Sequence, residues 1–175
     1  MRDIRYQIDI RRKQTSRRHS GFSLIEVLIG IVLVALAVTS LMVANGAFTK
    51  ANDAGVDLST AEFLIEQIRE LTTLLAVVDP ESGISTFGPE TGETLASYDD
   101  LDDFDGANFS PPISVNRGLL NNFATFTQQI TVENVSASNF EQVVSDHSSY
   151  FVRVTVRIFL GSREIDSASW LRARY

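Results

Sequence analysis

Residues 21–44 read GFSLIEVLIGIVLVALAVTSLMVA, and the organisation of the whole chain turns on this stretch. From Val27 to Ala44 only Thr39 and Ser40 are polar, and no residue is charged. Such a run is a membrane-spanning candidate. With Phe22–Glu26 added, the segment corresponds to roughly 34 Å of helix at about 1.5 Å per residue, close to the thickness of a hydrocarbon core. A single crossing over residues 22–44 is therefore expected.

Charge divides the chain on either side of this segment. Residues 1–21 hold seven Lys/Arg against Asp3 and Asp9, whereas everything after them carries a net charge of −12. Arg11, Arg12, Lys13, Arg17 and Arg18 directly precede the apolar run. The positive-inside rule then keeps the N-terminus cytoplasmic and sends the acidic remainder outward. Between residues 51 and 116 Arg69 is the only basic residue against fourteen acidic ones, which argues against direct nucleic-acid binding there. The 175 residues include no cysteine, so disulfides, thiolate nucleophiles and Cys-based zinc sites are excluded. His19 and His147 are the only histidines, which removes multi-histidine metal sites.

Three readings compete for the apolar segment. A cleaved secretory signal could end at Ala35-Leu36-Ala37, but apolar sequence continues to Ala44, past the point where a cleavage region turns polar. A permanent anchor for an external enzyme or binding domain is the second. The third arises from Glu26, a carboxylate at the head of an uncharged membrane stretch, where acids are costly and usually functional. Taken alone, Glu26 could simply sit at the interface near a helix N-terminus, where the macrodipole favours an anion. It stands, however, in the string Gly21-Phe22-Ser23-Leu24-Ile25-Glu26-Val27-Leu28-Ile29 behind a basic leader.

That string closely resembles the type IV prepilin signature, with the likeness extending to about residue 44. The resemblance implies cleavage between Gly21 and Phe22 by prepilin peptidase, N-methylation of Phe22, and an assembly role for Glu26 as the fifth mature residue. It further implies, as partners, the lipid bilayer, an inner-membrane assembly platform and other pilin or pseudopilin subunits. The expected location is the bacterial inner membrane, single-pass with a periplasmic head, and then a pilus or periplasmic pseudopilus. The residue types suit this chemistry. Gly21 permits an extended, accessible backbone at the scissile bond. The new α-amino group would be largely protonated at neutral pH, with a reference pKa of about 7.7–8. Glu26 lies four residues along the same helix face, or can meet the amine of a neighbouring subunit. An unpaired carboxylate in a filament core is costly, so pairing would favour one axial register.

Beyond the apolar run, Asn45-Gly46 and Asn52-Asp53-Ala54-Gly55 are soft spots for a helix. Ala61, Leu64, Ile65, Ile68, Leu71, Leu75 and Val78 then recur at helical spacing. Ser59-Thr60-Ala61-Glu62 could start a new helix with a capping box; the family resemblance instead implies a helix running on to Val78. Residues 79–118 hold all four prolines and most of an acidic run, and read as a long surface connection. Strands are expected over 123–135, with Ala124, Phe126, Ile130 and Val132 on one face, over 150–160, with alternate residues from Tyr150 to Leu160 on one face, and over 163–173 after a Gly161-Ser162 turn. The expected fold class is α+β, a long helix packed on a small antiparallel sheet. The divisions are a leader at 1–21, a membrane and filament-core helix at 22–44, its amphipathic continuation at 45–78, and an acidic loop region with the sheet at 79–175.

Within the acidic run, Asp99, Asp100, Asp102, Asp103 and Asp105 fall in seven positions. Clustered hard oxygens attract calcium, but an EF-hand alignment on Gly106 places Leu101 at the first ligand position and Pro112 at the last, so that motif fails. A solvated acidic loop is the simpler expectation, with an irregular calcium site as the alternative and no other cofactor expected. The string Tyr98–Gly106 also resembles an aspartate-rich stretch of some minor pilins of the mannose-sensitive haemagglutinin type. Asp146-His147-Ser148 contains triad residue types, yet sequence neighbours project in different directions. Trp170, Phe123 and Phe151 read as core or subunit contacts. The expected function is structural rather than enzymatic: a minor pilin, or alternatively a minor pseudopilin of a type II secretion system. The absent cysteine pair departs from the many pilins with a C-terminal disulfide loop, which puts adhesin-type function in doubt.

Overall fold

The computed structural model describes residues 21–79 and 87–174. The expected leader, apart from Gly21, and Pro80 lie outside the described residues. The chain divides between Phe48 and Thr49 into two units. One helix, α1 (Leu24–Thr73), contributes residues to both.

In the first unit every described residue is exposed. Leu24, Ile25 and Leu41, at 86%, 66% and 62% relative exposure, lie on different sides of the helix. An all-round apolar helix of this kind has no polar face to turn to water. It is long and apolar enough to cross a membrane. Thr39 and Ser40 do not interrupt it, because their hydroxyls donate to the carbonyls of Ala35 and Leu36, both at 2.8 Å.

In the second unit α1 becomes one-sided. Ala61, Leu64, Ile65, Ile68 and Leu71 are buried, at the three- and four-residue spacing that lines one helical face. The candidate helix start at Ser59 does not occur. Thr60 instead donates its hydroxyl to the Val56 carbonyl at 2.8 Å, inside the helix. The helix ends at Thr73, five residues before the expected Val78. Thr72 and Thr73 turn their hydroxyls back to Ile68 and Arg69 carbonyls, and Ala76 forms a bridge to Asp100 instead of a further helical turn.

The sheet is antiparallel throughout: β1 (Asn108–Phe109), β2 (Phe126–Ser136), β3 (Asn139–Val143), β4 (Phe151–Leu160) and β5 (Arg163–Ala173). The order is β1-β2-β4-β5, with β3 pairing beside the end of β2. Opposite residues include Ile130 with Val156 and Val132 with Val154, which puts the apolar side chains of both strands on one face. Val152, Val154, Val156 and Ile158 are buried there with Phe126, Ile130 and Val132, in one core with the helix residues. On the other face, Arg153 pairs with Glu133 at 2.8 Å and Thr155 with Ser169 at 2.9 Å. Gly161, at φ +60°, turns β4 into β5 in the left-handed region that glycine adopts without steric cost.

Two expectations about strands are corrected. β2 begins at Phe126 rather than 123, because Asn121–Phe123 form a short 3-10 turn and Ala124 is exposed. The segment between helix and sheet is not simply a surface connection. Leu101, Phe104 and Ile113 are fully buried in the core.

Candidate functional site

The start of α1 is built by Ser23. Its Oγ accepts from the Glu26 N–H at 3.3 Å, and its carbonyl accepts from the N–H groups of Glu26 and Val27 at 3.0 and 3.2 Å. Ser23-Leu24-Ile25-Glu26 thus has the sequence of a capping box, a signal present in the string but not recognised there by sequence reasoning. Glu26 is the acid of the first helical turn. It faces outward, as do Gly21 and Phe22, the latter at 80% exposure. All three expected processing and assembly residues therefore lie accessible at the helix start.

A second constellation lies in the C-terminal unit. The expected solvated loop is instead largely internal: Asp100, Asp102 and Asp103 are each at most 2% exposed, while Asp99 is exposed and Asp105 half-buried. The backbone explains the folding inward. A 3-10 turn at Asp102–Phe104 drives Phe104 into the core, where its ring meets Tyr98 edge-on at 5.2 Å between centroids. Asp103 Oδ2 accepts from the N–H groups of Asp99 and Asp100 at 3.0 and 3.3 Å, and Asp100 Oδ1 accepts from the Asp103 N–H at 3.2 Å. Asp105 leaves the group and accepts from the Val132 N–H at 2.8 Å, tying the turn to β2. Arg117 braces the preceding loop by donating to the carbonyls of Leu95, Ala96 and Tyr98.

Glu90 and Glu93, not singled out in the sequence, join this group in space. The Glu90 N–H donates to Glu93 Oε2 at 3.0 Å. That backbone donor holds the Glu93 carboxyl below the usual range, while its hydrogen bond to Glu93 pushes Glu90 up to about 7. Burial, with the neighbouring charges of Asp100 and Asp103, pushes Asp102 up to about 9. Burial also raises Asp103 to about 6, against the opposing effect of its two backbone donors. The raised values of Asp102 and Asp103 record negative groups crowded away from water.

The triad residue types do not assemble. The Ser148 hydroxyl donates to the Ser145 carbonyl, and the His147 backbone N–H donates to Asn134 Oδ1 at 2.5 Å. The His147 ring packs edge-on against Phe87. Trp170 lies against the core beneath the Arg69 guanidinium, 4.9 Å from the ring centroid. Phe123 packs between Phe63 and Phe126, and Phe151 stacks with Phe140.

An apolar helix opened by a serine cap and an acid, continuing into an amphipathic half that carries an antiparallel sheet, defines a pilin-like α+β protein. Residues 16–42 match the family model described as the prokaryotic N-terminal methylation motif. The motif supports a type IV pilin-like protein, pilin or pseudopilin, that is a substrate of prepilin peptidase. Together with the apolar helix it supports a membrane-anchored, single-pass protein. This family is a structural class whose members assemble with one another. No curated protein and no solved structure matches the chain significantly.

Proposed function

We propose that the chain is a minor pilin, cut between Gly21 and Phe22, methylated on Phe22, and assembled from the bacterial inner membrane into a type IV pilus-like filament. The observation that carries this reading is the apolar surface on all sides of residues 22–44, headed by the single acid Glu26. Such a helix needs an apolar environment twice, first in lipid and then among like helices. Head-to-tail association that does not close on itself supplies the second environment as a filament. The basic leader supports an outward acidic head. Its net charge of +5 would resist burial among helices, which gives its removal a physical purpose. The string Tyr98–Gly106 supports the finer reading as a minor pilin of the mannose-sensitive haemagglutinin type.

Intact mass measurement on chain purified from cells with and without prepilin peptidase tests the processing. A mature chain starting at methylated Phe22 is expected only in the first, and any other start overturns the proposal. Glu26→Ala is expected to be processed normally yet to be depleted from filaments, and undiminished incorporation would remove its role in register. Recovery of the chain in filaments sheared from the cell surface supports the pilus. Recovery only in short periplasmic filaments would favour a type II secretion pseudopilus instead.

A further inference from the structure

Glu90, Glu93 and Asp103 each offer one carboxylate oxygen within 4.8 Å of the other two, and Asp99, Asp100 and Asp103 do the same. Asp103 belongs to both sets, and its residue is 1% exposed. Its Oδ2 is engaged by two backbone N–H groups, but its Oδ1 is buried with no hydrogen-bond partner. A buried carboxylate oxygen without a donor is costly and calls for a positive group. No Lys or Arg supplies one, since among the described residues no ion pair involves Glu90, Glu93, Asp100, Asp102 or Asp103.

We propose that this cluster is a calcium site, with Asp103 Oδ1 and the carboxylates of Glu90 and Glu93 as its protein ligands and Asp99 and Asp100 orienting Asp103 from behind. The spacing suits the ion. Two oxygens bound to one calcium at about 2.4 Å lie at most about 4.8 Å apart. The two backbone donors on Oδ2 fix the Asp103 carboxylate and leave Oδ1 to the metal, the arrangement by which outer groups orient a ligand. Glu90 and Glu93 are only half-buried, so the ion has a route in and water can complete its coordination. Bound calcium would tie the segment before the 3-10 turn to the bridge between Asp100 and Ala76 just beyond α1.

The test uses the mature full-length chain in detergent, stripped with chelator and titrated with calcium chloride by calorimetry. Thermal unfolding is followed in parallel through Trp170 fluorescence. One saturable site per chain is expected, with half-saturation at about 0.1–1 mM as in extracellular calcium modules, and unfolding shifted to higher temperature by the ion. Asp103→Asn should abolish binding. Because that variant removes a buried group, Glu90→Gln and Glu93→Gln are made separately, each expected to weaken binding about tenfold or more while keeping the circular dichroism of the parent. Glu62→Gln, on the helix, should bind as the parent does. Absence of saturable heat at about ten times the expected half-saturation overturns the site, as does equal binding by the parent and Glu93→Gln.

Discussion

Gln128 stands in β2 between Phe126 and Ile130, at a core-facing position where strand alternation calls for an apolar side chain. It is fully buried and fully used. Its Oε1 accepts from the Ile113 N–H at 2.7 Å, and its Nε2 donates to the carbonyls of Leu64 and Ile113 at 2.9 and 3.2 Å. One side chain thus joins sheet, helix and loop, which an alternation pattern registers only as an interruption. Gln128→Met keeps the volume but strands the Ile113 N–H, and is expected to cost about 1–3 kcal/mol in urea unfolding. On the outer face, the Arg157 guanidinium hydrogen-bonds Glu164 and holds its carboxyl below the ordinary 4.5. A lowered folded value means that the stabilisation is present at neutral pH and fades as pH falls below that ordinary value through the folded one. Carboxyl NMR is expected to find the Glu164 midpoint below 4.5, and Arg157→Gln to return it to the usual range. At Ser23 and Glu26, the residue types were legible as a signature. The cap between them became clear only with the backbone in place.

At the scale of elements, the C-terminus of α1 has no basic residue in its last turn to meet its free carbonyls. Arg172, on β5, supplies the cation across the fold, donating to the Thr72 and Leu75 carbonyls at 2.6 and 3.1 Å. This cap is invisible to local helix rules, which look for the stop signal beside the helix rather than a hundred residues away. Arg172→Met should lower stability by about 1–2 kcal/mol, read from chemical denaturation, and should raise hydrogen exchange at the helix end before the sheet. β4 and β5 were legible from alternation and the glycine turn. β3 was not, because all five of its residues are exposed and carry no alternation, and β1 is two residues long. The acidic segment was misread for a related reason. Its charges announced a wet loop, while Leu101, Phe104 and Ile113, too few and too scattered for a periodic pattern, drew it into the core.

For the molecule as a whole, the two units place opposite demands on their surroundings. Among the described residues, the first exposes apolar residues on every side and has no core of its own, whereas the second buries a core between helix and sheet. If the leader controls the passage from lipid to filament, a precursor with Gly21→Arg should accumulate uncut in the membrane fraction and be missing from filaments. Its head should unfold at the same temperature as that of the mature chain, since Gly21 has no neighbour within 4 Å. An uncut chain recovered in filaments would refute the requirement.

The sequence by itself determined the apolar helix, its processing signature, the helix-on-sheet class and the alternating faces of β2 and β4, because these rest on local composition and short-period patterns that need no partner. Only the tertiary structure decided where α1 stops, which polar groups are buried, and that Glu90 and Glu93 meet Asp103. Those outcomes depend on contacts between residues distant in the chain, and on whether a nearby apolar anchor can carry charged neighbours out of water.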